Sequence, residues 1–267
     1  MSVQRLQLDE SEVVAKWQEL APLIDRMMER VGTQEEFPVG DGSSLRGDDR
    51  ASDPFHVSHL IRQCLNAGID HLHAAKVLVV DARLLHVAAP SSLARGAIEN
   101  FAAAFWVLGP RRRVERVERA LRWYAKNYKD QHNAAHPIGR STPGERDANL
   151  NKLYAVGAKH GIDNKVIRTG YSSTEVVKHA EANAPTTDMH VLLPWQVCSG
   201  FAHGRPWAYL GVLDREEHEA ETAGVMQLSL TSNLSMALYP TLAAARLLQD
   251  LLRLYQRRAG ALLPEAS

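Results

Sequence analysis

Between Pro90 and Pro110 the chain reads PSSLARGAIENFAAAFWVLGP, a stretch in which nearly every face of a helix would be apolar. Such a helix is stable only when other elements surround it, so the segment predicts the central helix of a bundle. The rest of the chain must then supply amphipathic partners. At 267 residues it lies at the upper edge of what one core can organise, and residues 1–267 read as a single helical domain. Aromatics make up only 6%. That scarcity, with an abundance of Ala and Leu, favours helices, because these side chains lose little freedom there.

Residues 9–31 begin with acidic residues and Ser11, then place Val13, Trp17, Leu20, Leu23, Ile24 and Met27 at helical spacing, with a bend allowed at Pro22. From 32 to 52 the period vanishes into Gly, Asp and Ser, which predicts a mobile loop. Asp53 with Pro54 reads as an N-cap opening a long helix over 54–87. Gly109 and Pro110 stop the central helix and begin another, striped by Val114, Val117, Ala120, Leu121, Tyr124 and Tyr128. Further helices follow over 145–160, from a Ser172/Glu175 capping box to 183, and from Thr186 or Thr187 to Gly204, with a kink allowed at Pro194. Between 206 and 231 the helical period fails. AYLGVL and GVMQLSLT flank an acidic tip there, which fits a short β-hairpin. Leu234, Leu238, Leu242, Leu248, Leu252 and Tyr255 then restore a helix to 258, and 259–267 reads as a frayed end. The expected class is all-α: one bundle with a hairpin appended.

Lys plus Arg equals Asp plus Glu at 31 each, so nucleic acid or an anionic surface could be drawn only by a local patch. No apolar run is long enough for a membrane span. The acidic start is unlike a secretory signal, and Cys64 and Cys198 are too few for a disulfide framework, which together suggest a reduced cytoplasmic protein. Twelve histidines form no metal signature, so neither metal nor cofactor is expected. Long apolar stripes suggest a homodimer formed through helices.

Three constellations carry the functional reading. Arg95 and Glu99, four apart on one helix face beside Asn100, put charge into the apolar helix, as either a polar site or an architectural ion pair. The segment 111–130 holds eight basic residues against Glu115, Glu118 and Asp130. Arg112, Arg116, Arg119 and Lys126 share a face with Trp123, suited to phosphates and a stacked base, or else forming a solvated flank. Ser199, His203 and Arg205, among small residues at a helix end, could pack against Arg95 and Glu99, making His203, Arg95 and Glu99 the catalytic candidates.

Arg95, Glu99, Asn100, Trp106, Leu108 and Pro110, followed by Arg116, Arg119, Leu121, Trp195 and SGFAHG, resemble a group of uncharacterised helical actinobacterial proteins, themselves similar to the HEPN superfamily. The matching blocks cover about half the chain. The resemblance implies a helical bundle associated with RNA in a toxin or defence setting. Active HEPN ribonucleases carry an Arg and a His with four to six residues between them. Here His203 has the expected helix-end place, but Gln196, Val197 and Cys198 stand where the Arg would fall, so cleavage is not implied. A non-catalytic scaffold bundle is the alternative, and a small-molecule enzyme or sensor using Arg95, Glu99 and His203 is the third reading.

Overall fold

Helix α4, Ala89–Leu108, is buried without a break from Phe101 to Leu108, as its apolar faces require. The structure is a computed structural model that describes residues 9–33, 36–185, 190–219, 221–222 and 224–262. Around α4 pack α3 (Val57–Lys76), α8 (Ser173–Asn183), α9 (Leu192–Ala202) and α11 (Leu234–Ala259). The α3–α4 approach is set by Gly68, where a Cβ would come within 2.3 Å of the Phe101 ring. A larger residue there would overpack the centre of the bundle.

Helix α1, Glu10–Arg30, lies against α3 and α11 and buries Val13, Trp17, Leu20, Ala21 and Ile24. Its start is a capping box, with Asp9 accepting from the Glu12 N–H and Glu12 from the Asp9 N–H, both at 2.9 Å. Pro22 lies inside it. On another flank, α5 (Arg113–Ala135), α6 (Pro143–Ala158) and α7 (Asn164–Thr169) close a satellite core around Val117, Leu121, Leu153 and Ile167. The all-α class with a short hairpin therefore holds: the described residues form α-helices and one antiparallel pair, β1 (Asp214–Glu219) with β2 (Met226–Thr231).

Several local expectations need correction. The segment read as a mobile loop contains helix α2, Ser44–Ser52, capped by Ser43 and burying Leu45, Asp48 and Asp49, while Phe37 is 1% exposed ahead of it. Burial there comes from a few large side chains and from paired acids, which composition does not register. The long helix starts at Val57, because Asp53 closes α2 and His56 takes the N-cap place. Asp49 serves that start instead: its Oδ1 accepts the Ser58 N–H at 2.8 Å, putting negative charge at the positive end of α3. The helix ends at Lys76 in one wide turn, Val77–Asp81.

AYLGVL is not a strand. It forms α10, Pro206–Val212, with Pro206 preset for the first helical turn, and the acidic segment read as a tip is β1. Ser172 caps α8 and accepts from the Glu175 N–H, but the expected box is half-formed, because the Glu175 carboxylate takes the Arg122 guanidinium instead. Pro194 falls in the first turn of α9, where its missing N–H costs no intrahelical bond. Thr186 and Thr187 lie outside the described residues. At the end of the chain Ala259 is buried within α11 and Gly260, at φ 61°, closes it; 263–267 are not described.

Candidate functional site

Of the basic row of α5 Arg116 is fully buried, whereas Arg119, Arg122, Lys126 and Lys129 are half-buried and Arg113 is exposed. The last carbonyls of a helix have no partner within it and carry the negative end of its dipole. At the end of α4 two arginines meet them, and a third binds the turn that follows. Arg119 Nη1 donates to Trp106 O at 2.6 Å, Arg258 reaches Leu108 O and Pro110 O at 3.3 and 2.7 Å, and Arg116 Nη1 donates to Pro110 O and Arg111 O at 3.0 and 2.8 Å. Arg116 is 2% exposed and uses every donor it has. Its Nε and Nη2 grip Asp48 at 2.6 and 2.7 Å, and Nη2 also reaches Ser44 Oγ at 2.9 Å. The nucleic-acid reading of Arg116 is therefore corrected: its guanidinium is spent on α2 and the α4–α5 turn.

The neighbouring residues follow suit. Trp106 lies under two guanidinium groups, Arg119 at 5.1 Å and Arg122 at 4.9 Å from the ring centre. Arg122 also holds Gly170 O and Glu175, both from the α7–α8 region. Trp123 packs on the main core, edge-on to Tyr124, and is no free stacking platform. Lys126 pairs with Asp130 at 2.8 Å, and exposed Arg112 faces Glu115 at 3.5 Å. Of the predicted face Arg112 is exposed and Lys126 half-buried, each beside an acid.

His179 Nε2 sits 3.3 Å from Arg119 Nη1. Burial first, and then the Arg119 charge, lower this imidazole from its ordinary 6.5 to about 4. The unfolded chain thus binds the proton over a pH range in which the folded chain does not. The His179 contribution to stability is complete above about pH 6.5 and is lost as pH falls towards 4. Melting temperatures taken from about pH 7 down to pH 4.5 should fall less steeply for His179→Gln than for the wild type. Parallel curves for the two proteins would contradict this assignment.

Arg95 and Glu99 pair at 2.9 Å and are half-buried, each about a quarter exposed. Glu99 Oε1 also accepts from Trp195 Nε1 at 2.9 Å, so α9 does close on the pair. The partner is Trp195 and not the segment at His203. Asn100 turns back to Gly96 O at 2.9 Å. Ser199 is half-buried, whereas His203 and Arg205 are exposed beyond the end of α9, because Gly204 at φ 60° swings the chain away. The expected cluster of Arg95, Glu99, Ser199, His203 and Arg205 is thus not assembled. Burial pushes the Cys198 thiol up to about 12, leaving it protonated and unreactive. Among the described residues no group of three His, Cys, Asp or Glu could hold a metal ion, and no helix is long and apolar enough to cross a membrane.

A different feature is open. Leu20, Leu23, Ile24 and Met27 of α1 face Leu242, Ala245, Leu248 and Leu252 of α11 across a cavity of about 390 Å³ floored by Ile69 and Leu72 of α3. Arg26, Arg30, Arg246 and Gln249 complete its lining, and Leu23 is 51% exposed. The volume lies in the range of ligand sites, and the polar groups on the lining include cations and no acid. Sequence reading found both stripes but not the gap between them. The signal available was that each stripe is wider than one packed neighbour needs. No family model matches the chain, and no curated protein or solved structure matches it.

Proposed function

We propose that this chain is a non-catalytic interaction bundle that receives an amphipathic helix of an acidic partner protein in the groove between α1 and α11. One observation carries the reading: the lining residues recur at i, i+3, i+4 and i+7 on α1 and every three to four residues on α11, with arginines as the charged groups of the lining. A trough walled by helix flanks suits a further helix, whose own apolar stripe would complete the seam. Cations at the lining select acidic flanks, and mismatched charge there would repel. The polar clusters elsewhere support the same reading, since their charges are engaged in holding helices together.

The test is a titration with two designed helical peptides sharing one leucine stripe, one flanked by Glu and the other by Lys. The acidic peptide should bind at least about tenfold more tightly, a difference of roughly 1.4 kcal/mol. Leu23→Glu and Arg246→Glu should each weaken it while leaving the melting temperature in place, because both side chains are exposed. Equal binding of the two peptides, or none, would overturn the proposal. A second reading, the HEPN-like association with RNA, is favoured by the exposed side chains of Arg111, Arg112 and Arg113 at the α4–α5 turn. Single-stranded RNA in the same titration distinguishes it. Binding that weakens with salt by a log slope near 0.7 per phosphate, and that is lost when the three arginines become Glu, would move the conclusion there.

A further inference from the structure

The hairpin forms a sheet of two strands, and its two outer edges differ in chemistry. β1 reads Asp-Arg-Glu-Glu-His-Glu and is exposed along its whole length. A rim of like charges turns away an incoming strand, which is how natural sheets protect their edges. β2 reads Met-Gln-Leu-Ser-Leu-Thr. It carries no charge and no proline, and only Leu228 and Leu230 are half-buried. Leu230 packs on the small cluster of Phe201, Ala208 and Leu213, which anchors the hairpin, while Val225 and Met226 are 57% and 61% exposed at its far end. A guarded strand is thus paired with an unguarded one, and two strands alone make a marginal sheet.

We propose that β2 pairs edge to edge with β2 of a second copy of this chain, giving a four-stranded antiparallel sheet in the order β1–β2–β2–β1 with Leu228 on the two-fold axis. The occupant follows from the strand itself. Side chains alternate between faces, so Met226, Leu228 and Leu230 share one face and Gln227, Ser229 and Thr231 the other. Antiparallel self-pairing about Leu228 sets Leu228 against Leu228, Met226 against Leu230 and Gln227 against Ser229. Apolar meets apolar, and uncharged polar meets uncharged polar. A slip of one residue would set each apolar side chain beside a polar one. An isologous contact needs a self-complementary surface, and β2 provides one.

Electrostatics agrees with this order. Pairing through β1 would bring two acidic strands into contact, whereas pairing through β2 leaves them at opposite rims of the sheet. Three strand spacings separate them there, about 14 Å, which exceeds the screening length of about 8 Å at physiological salt. A six-residue edge is smaller than a standard interface, so the association should be of micromolar strength and concentration-dependent.

Sedimentation of the full chain across the micromolar range should show a shift from the 29.6 kDa monomer towards twice that mass. The double variant Gln227→Lys, Ser229→Lys guards the edge at exposed positions and should stay monomeric with an unchanged helical spectrum. Leu228→Cys should form an intermolecular disulfide under mild oxidation, because residues directly opposite in an antiparallel pair lie within bonding reach, about 4.5 to 5.5 Å between Cα atoms. Gln227→Cys should not, being displaced from the axis. A wild type that remains monomeric throughout overturns the proposal. So does a dimer that survives the lysine pair, or one in which Gln227→Cys cross-links as readily as Leu228→Cys.

Discussion

An Asp48→Ala chain is expected to lose about 3 to 5 kcal/mol of stability, because it leaves the guanidinium of Arg116 buried without its counter-charge. Arg116 is 2% exposed and Asp48 0%, so water cannot replace the carboxylate without opening the seam between α2 and α5. The loss would take a large share of the roughly 5 to 15 kcal/mol that a domain possesses. Urea unfolding followed by circular dichroism measures it directly as a shift of midpoint at constant slope. Replacing both partners with apolar residues of similar size, Asp48→Leu with Arg116→Met, should recover part of the loss, since a buried pair is costly to break but less costly to exchange, while Arg111 O and Ser44 Oγ lose the donor that Arg116 gave them. If Asp48→Ala costs less than about 1 kcal/mol, the pair is not what fixes α2 to α5.

The pair also shows where sequence reasoning stops. Helix α4 is legible because its apolar faces are consecutive in the chain, and the Ser172 cap because its acceptor and donor are three residues apart. Asp48 and Arg116 are 68 residues apart, and the segment around Asp48 has the composition of a loop. One signal was present: Arg116 stands four residues before Ala120, on the edge of the apolar stripe of α5, and a charge there demands a partner. The hairpin failed differently. Six charged or polar residues in a row resemble a turn until both faces of the strand prove to be in solvent, as in β1. For the groove, both helical stripes were read in the chain, but a gap between two stripes depends on how α1 and α11 diverge over α3. No local pattern encodes that.

The other large effect is expected at Trp106, which is 2% exposed at the end of α4. Trp106→Ala should cost about 3 to 5 kcal/mol, the range for emptying a buried aromatic site. The ring has a second task. It lies beneath Arg119 and Arg122, with the Tyr171 ring tilted against it at 5.7 Å, so the indole is the surface on which two like charges are brought together. The Arg119 guanidinium is already less basic than usual, through burial first and the nearby Arg122 charge second. Without the indole this repulsion loses its compensation from the ring face, worth about 0.5 to 2 kcal/mol per contact. Trp106→Phe keeps a weaker ring face and should recover part of the loss, whereas Trp106→Leu, of similar apolar character but without a π-face, should recover less. Equal stability of the Phe and Leu variants would mean that the ring face contributes nothing at this site. A gap between Phe and Leu wider than their difference in volume accounts for is expected if Trp106 holds Arg119 and Arg122 inward, so that the cations of α5 serve the bundle before they serve any ligand.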